Sequence, residues 1–289
     1  MTKPPRIADA PSQLRRVLAR TRRTANIWVA TLILLVIITL AVFAPVITPY
    51  NPIIITPALR LKPPDSQHLF GTDDFGRDIF TRVLYGAQLS LQVGLISVTL
   101  ASITGTILGI VAGYNGGWID ALIMRIIDVM LAFPSILLAL AIVATLGRSL
   151  PNVMIAVGIA TIPVYTRIVR ASTLSVKQID YILAARAIGC SGWDIMWRHI
   201  FPNIIAPIIV VTTNGVAGAI VAGAALSFLG LGAQSPTPEW GLMLSEGRNF
   251  LRSASWVTTF PGFAIMITVL AINLLGDGLR DVLDPRLKI

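Results

Sequence analysis

The sequence predicts an all-α, polytopic membrane protein of six transmembrane helices, and two observations carry that prediction. Of 289 residues, 55% are hydrophobic and only 13% are charged, against roughly 25% charged in an average soluble domain. The apolar residues also fall in long runs rather than in the short amphipathic stripes of a soluble core. A soluble fold of this length has too little interior to hide them, whereas lipid accommodates them as solvent. The formal charge of +9 is spread between the apolar runs and forms no groove-sized basic patch. It therefore points to membrane topology and not to nucleic acid.

A helix crossing a bilayer needs about 20 mostly apolar residues. Stretches meeting this need occur near 27–47, 88–112, 124–147, 149–168, 203–228 and 257–276. The first ends near Val42-Phe43-Ala44, which has the small-residue character of a signal cleavage site. Its apolar run is longer than a signal h-region, so it reads as a span. The second carries Ser97, Ala101, Gly105, Gly109 and Gly113 at every fourth position, and the fifth carries Gly215, Ala219, Gly223 and Ser227. Such faces let backbones approach closely, either within the chain or at a subunit seam. In the third, Arg125 and Asp128 are spaced to pair on one helix face. The fourth is the shortest, with Pro163 inside it and Arg167 at its end.

Charge then orients the spans. Lys3, Arg6, Arg15, Arg16, Arg20, Arg22 and Arg23 precede the first span. Arg125, Arg167, Arg170, Lys177, Arg186, Arg198, Arg280, Arg286 and Lys288 fall on the same side. The other side keeps Arg60, Lys62, Arg77, Arg82, Arg148, Arg248 and Arg252. The positive-inside rule places both termini and the 169–202 loop in the cytoplasm. Residues 1–26 form a basic tail, and 27–289 form the membrane domain. Outside lie a first loop of about 40 residues and a shorter one near 229–256.

The outer segment 70–84 contains Asp73, Asp74 and Asp78, whose spacing lacks the alternation of a calcium loop. Turns and a surface ion pair with Arg77 are expected there, followed by an elbow helix over Ile79, Phe80, Val83 and Leu84 lying along the membrane. Cys190 is the single cysteine, so no disulfide forms within the chain. His68 and His199 lack metal-ligand spacing.

The 177–203 loop is the most informative segment. A helix over 178–188 stops at Gly189, and Ser191 with Asp194 reads as a capping box opening a second short helix. Pro202 is expected to end that helix and begin the next span. Trp193, Met196 and Trp197 beside Arg198 make an apolar cytoplasmic surface. Lipid headgroups or a docked soluble partner would each cover it.

Ala184-Ala185, Gly189 and Phe201-Pro202 resemble the Glu-Ala-Ala coupling loop of ABC importer permeases, with Leu183 standing where that family usually has Glu. Further stretches resemble its dipeptide/oligopeptide/nickel branch. These are Phe70–Phe80, Gly113–Asp120, Met124-Arg125 with Asp128, Ala132-Phe133-Pro134, Leu226–Gly232, Pro236–Gly241, Asn273–Asp281 and Asp284-Pro285-Arg286. Gly223 lies near a position where relatives often carry an acid.

The resemblance implies the type I importer permease fold, and a subunit that forms half of a translocation pathway for di/oligopeptides or similar small solutes. It implies that Leu183, Ala184, Ala185, Arg186, Gly189, Trp193, Trp197, Phe201 and Pro202 contact a cytoplasmic ATPase. It further implies a homologous second permease, two ATPase subunits or domains, and an extracytoplasmic solute-binding protein. In such systems the permease pair opens inward at rest and outward when ATP closes the nucleotide-binding dimer.

The chain holds no Gly-x-x-x-x-Gly-Lys-Ser/Thr phosphate cradle, so no cofactor is expected in it, ATP and magnesium being bound by the partners. No nucleophile–base pair for an intramembrane enzyme can be proposed. A secondary carrier or channel remains the rival reading. It is disfavoured because the span centres lack ionisable residues.

Overall fold

The computed structural model describes residues 25–283. The N-terminal basic tail, Asp284-Pro285-Arg286 and Lys288 lie outside the described residues. Among the described residues, nine helices of eight residues or more organise the fold: α1 (Ala25–Val42), α2 (Ile79–Asn115), α3 (Gly117–Leu131), α4 (Ser135–Leu146), α5 (Leu150–Lys177), α6 (Asp180–Ala187), α7 (Gly192–Phe228), α8 (Trp240–Gly247) and α9 (Trp256–Leu283). No β-strand occurs among the described residues, only an isolated bridge between Thr72 and Asp78.

Four helices, α2, α5, α7 and α9, are long and apolar enough to cross a membrane, and the bent pair α3–α4 is a fifth. The shorter apolar α1 completes the series of six apolar stretches read from the sequence. Segments 48–78 and 229–255 meet at one end of the bundle, here called the cap end. Segment 178–200 lies at the other, the loop end.

Local chemistry sets the boundaries. α2 opens where the Asp78 carboxylate accepts from the Thr81 backbone N–H at 2.7 Å, and closes at Gly116, whose φ of 68° suits glycine. At 37 residues it is about 55 Å long, longer than a bilayer core is thick. The elbow expected over Ile79–Leu84 is therefore not separate; those residues are the first turns of α2. Nothing between 79 and 115 breaks the helix, because Gly86 and Gly94 are held by Trp240 and Ile220 packed against them.

The 124–147 stretch is likewise not one helix. Pro134 cannot continue the α3 ladder, and α3 and α4 meet at 91° across Ala132-Phe133-Pro134. α4 alone has 12 residues, about 18 Å, too short to cross a bilayer core.

The small-residue faces are seams within the chain. α2 packs most extensively on α5. A Cβ on Gly105 would collide with the Tyr165 Cβ, and one on Gly109 would lie 2.6 Å from the Val169 Cβ. Gly113 abuts Thr173, and Ser97 donates to the Met154 carbonyl at 2.8 Å. On α7, Gly215 meets the Tyr165 hydroxyl and Gly223 meets Val93. Gly223 is buried against α2, so an acid here would face a valine.

Ion pairing at the α3–α5 contact also departs from expectation. Asp128 pairs with Arg167 at 2.6 Å rather than with Arg125, which is exposed. Arg170 forks onto Asp120 at 2.5 and 2.6 Å. The two acids are eight residues apart on α3, about 12 Å, while the two arginines are three apart on α5, about 4.5 Å. The long arginine side chains span the difference.

Candidate functional site

Two constellations stand at opposite ends of the bundle. At the loop end, α6 is anchored by Ile182 and Ala185, which are buried with Ile110, Val169, Ile195, Ile200 and Ile204. Gly189 ends the helix with φ +86°, and a Cβ placed there would meet nothing within 4 Å. Ser191 caps α7, accepting from the Asp194 N–H at 3.1 Å. Its hydroxyl also donates to the Asp194 carboxylate at 2.6 Å. In the capping box expected here that carboxylate would have answered a backbone N–H.

The second short helix does not end at Pro202. α7 runs from Gly192 through to Phe228, with a π-helical segment at Ile195–Ile200. Pro202 supplies no N–H, and the wider turn just before it accommodates that loss without stopping the helix.

The loop residues singled out in the sequence divide into two sets. Leu183, Ala184, Arg186, Gly189, Trp193 and Pro202 are exposed, Trp193 at 66%. Ala185 is buried and supports the loop. Trp197 stacks obliquely between Trp193 and Phe201, with ring centroids 5.5 and 5.6 Å apart. Ile188, 82% exposed beside Gly189, was not singled out, nor was Ile179, one turn before Leu183. Their apolar character at a polar-facing tip was the available signal. The result is an apolar tip of Ile179, Leu183, Ile188 and Trp193 on a buried footing.

Tyr114, at the end of α2, supports this loop from beneath. Lys177 Nζ donates to its carbonyl at 2.5 Å, and the Arg186 guanidinium lies 5.1 Å from its ring centre. Gly192 sits against the same ring. A single tyrosine thus joins α2, α5 and the loop.

At the cap end, the expected surface ion pair of Asp73 and Arg77 is buried. Arg77 Nε donates to Asp73 at 2.6 Å and its terminal nitrogen to Glu246 at 2.7 Å, with the arginine side chain 1% exposed. Arg82, with side-chain exposure of 0%, approaches Asp73 at 3.5 Å and Glu246 at 3.3 Å. It also donates to the Pro52 and Pro236 carbonyls at 2.8 and 3.1 Å. Burial, with Asp73 and Glu246 nearby, pushes the Asp74 carboxyl above its ordinary range. His68 Nδ1 lies 2.9 Å from the Asp78 carboxylate that caps α2. No group of three metal-ligating side chains occurs among the described residues.

Glu239 caps α8 from this end, accepting from the N–H groups of Gly241 at 3.0 Å and Leu242 at 2.9 Å. Burial raises its carboxyl above the ordinary 4.5, the bonds from those N–H groups, Ser227 and Ser90 opposing the rise. The folded value thus exceeds the unfolded one. The stability linked to this proton is present in full below 4.5 and is lost as pH rises through the folded value. The thermal midpoint of the wild type minus that of Glu239→Gln is expected to fall as pH rises across this window. A difference independent of pH would show that the carboxyl does not titrate there.

Bundle, apolar loop tip and buried cap together define a polytopic helical membrane protein. Comparison with known proteins specifies it further. Residues 105–289 match the family described as binding-protein-dependent transport system inner membrane component. Residues 12–64 match the N-terminal transmembrane domain of oligopeptide transport permease C. The chain belongs to this family of transport-system inner membrane components.

It is 52% identical to a dipeptide transport system permease protein of Alkalihalophilus pseudofirmus over 279 residues, covering 96% of this chain and 92% of that one. It is 48% identical to a glutathione transport system permease protein of Pectobacterium atrosepticum over 260 residues, 90% of this chain and 86% of the relative. It is 46% identical to a di/tripeptide transport system permease protein of Pseudomonas aeruginosa over 263 residues, 89% and 87% of the two chains.

Proposed function

We propose that this chain is the permease subunit of an ATP-driven ABC importer for dipeptides, oligopeptides, glutathione or similar small solutes. It forms half of the pathway in residues 27–289, beside a homologous second permease. Two ATPase subunits or domains bind ATP and magnesium, and an extracytoplasmic solute-binding protein delivers the solute. This chain is non-catalytic and carries no cofactor. Its 169–202 loop couples it to the ATPases through Leu183, Ala184, Arg186, Gly189, Trp193, Trp197, Phe201 and Pro202, with Ala185 acting as their buried support.

The observation that carries the reading is the exposed apolar tip of that loop, held on a buried footing. A floppy loop would absorb the movement of a docked partner, whereas one anchored by Ile182, Ala185 and Tyr114 passes it to α2 and α5. Leu183 in place of the family Glu makes this contact apolar. The loop and both termini are assigned to the cytoplasmic side of the inner membrane. Basic residues of the described part divide evenly between the ends, so the N-terminal tail, with Arg286 and Lys288, carries the asymmetry behind this orientation.

Gly189 supplies the test. Since its Cβ direction is open, a side chain there meets a partner before it meets this chain. Asparagine tolerates a positive φ, whereas tryptophan adds bulk as well as strain. Gly189→Asn is expected to retain co-purification of the ATPase. Gly189→Trp is expected to lower solute-stimulated ATP hydrolysis about tenfold, the effect of about 1.4 kcal/mol of lost interaction. Wild-type uptake and hydrolysis in the tryptophan variant would overturn the assignment.

A further inference from the structure

From Thr24 to Leu59 the chain has no charged residue. α1 uses only Ala25–Val42 of this run, and the apolar character continues past it into the cap end. Phe43, Val46 and Ile47 are exposed. Ile53, Ile54 and Ile55 follow in backbone that is neither helix nor strand. They are 46, 61 and 53% exposed, so no other part of this chain encloses them.

The isoleucines are held outward from both sides. The Pro52 carbonyl accepts from the buried Arg82 guanidinium at 2.8 Å. The Ile53 N–H donates to Asn51 Oδ1 at 2.9 Å, and the Thr56 N–H to the Phe75 carbonyl at 3.0 Å. A loose loop would fold such side chains away from water, whereas this one is pinned with them on show. Three adjacent apolar side chains fixed in this way mark a surface that something else covers.

Depth points to the occupant. Gln88, where the apolar run of the second span begins, donates to the Ala41 carbonyl at 2.5 Å. Arg82, which holds Pro52, lies six residues earlier on α2, about 9 Å along the helix. A headgroup layer is about 5–8 Å thick, so the ridge stands near its outer edge. Exposed Tyr50 lies between α1 and the ridge, at the level where aromatic rings prefer to sit. The first charges after the ridge, Arg60 and Lys62, are exposed.

Composition agrees with lipid more than with protein. The 43–59 segment offers no charge for the rim of a protein interface. Pro45, Pro49, Pro52 and Pro57 carry no N–H, and those of Val46, Ile47, Thr48, Ile53 and Thr56 are bonded within the chain. Few backbone donors are left to pair with a partner strand or to be stranded in lipid.

We propose that the ridge Ile53–Ile55 is a membrane anchor of the cap end. It lies in the headgroup layer of the bilayer, continuous with the lipid-facing side of α1. Through Pro52 and Arg82 it ties the buried cap to the membrane surface. The inference needs only an embedded bundle and stands apart from the importer reading.

The full-length chain, purified with the subunits that accompany it, is placed in nanodiscs of phosphatidylethanolamine and phosphatidylglycerol. Cys190→Ser removes the native thiol, and a nitroxide label is attached at Ile54→Cys. Ser66→Cys, exposed in the same cap segment, is the aqueous control, and Leu35→Cys, exposed on α1, is the lipid control. The label's accessibility to oxygen, divided by that to a water-soluble nickel chelate, is measured at each site. The ratio at 54 is expected to exceed that at 66 at least about threefold, because apolar layers exclude polar solutes. Ile53→Cys and Ile55→Cys repeat the reading on either side, so it does not hang on one variant. A ratio at these three sites equal to that at 66 would place the ridge in water and overturn the anchor. Screening from both reagents would show that protein covers it, and would overturn the anchor as well.

Discussion

A Gly109→Leu chain is expected to fail to accumulate as folded protein in the membrane. The first side-chain atom added at this position would lie 2.6 Å from the Val169 Cβ and 2.8 Å from the Thr166 carbonyl oxygen. Neither is the free end of a flexible chain, so α2 and α5 must separate. That separation also undoes the neighbouring contacts of Gly105 and Gly113 with Tyr165 and Thr173. Overpacking costs about 1–3 kcal/mol where a core can adjust, and more where the opposing atom is backbone. In a membrane, close van der Waals packing supplies much of the helix association that hydrophobicity supplies in water.

Gly218→Leu is the matched control, because the same substitution there enters open space. Size-exclusion profiles and melting of the purified proteins distinguish the two. Equal yields and midpoints for both variants would contradict the seam.

The second large effect is expected from Arg82→Leu. This guanidinium is fully buried and joins segments far apart in sequence: the Pro52 carbonyl, Asp73, the Pro236 carbonyl and Glu246. Removing one partner of a buried charge network leaves the others uncompensated, which costs about 3–5 kcal/mol. Here Asp73 and Glu246 would keep only Arg77. Faster proteolysis in the 48–78 and 229–255 segments and a lower thermal midpoint are expected. Arg82→Lys recovers little, because one ammonium cannot reach both carbonyls and both carboxylates. Adding Glu246→Leu to Arg82→Leu returns part of the loss by removing the stranded charge. A melting point for Arg82→Leu within about a degree of the wild type would show that the cap is not held this way.

Much of the fold was legible because membrane helices announce themselves locally. The six apolar stretches, the glycine faces of α2 and α7, the stop at Gly189 and the cap at Ser191 depend on neighbours within a few residues, and sequence records such neighbours directly. The loop was legible for the same reason, apart from Ile179, Ile188 and the support beneath them. Tyr114 reaches Lys177 and Arg186 across more than 60 residues, a relation that no local spacing encodes.

The corrections share one cause. Asp128 and Arg125 have the spacing of a pair, but α3 bends onto α5, and the nearer guanidinium is that of Arg167. Asp73 and Arg77 do pair, but two loops fold over them and convert a surface contact into a buried one. Pro134 and Pro202 look alike as helix breakers. One produces a bend of 91°, and the other is absorbed by a π-helical turn.

The sequence by itself determined that this protein lives in lipid, how many apolar stretches it has, and which faces pack closely. Only the tertiary structure decided which helices those faces meet and which charges are buried. Hydropathy and periodicity are properties of a segment. Burial, pairing and enclosure are properties of the space between segments, and that space exists only once the chain is folded.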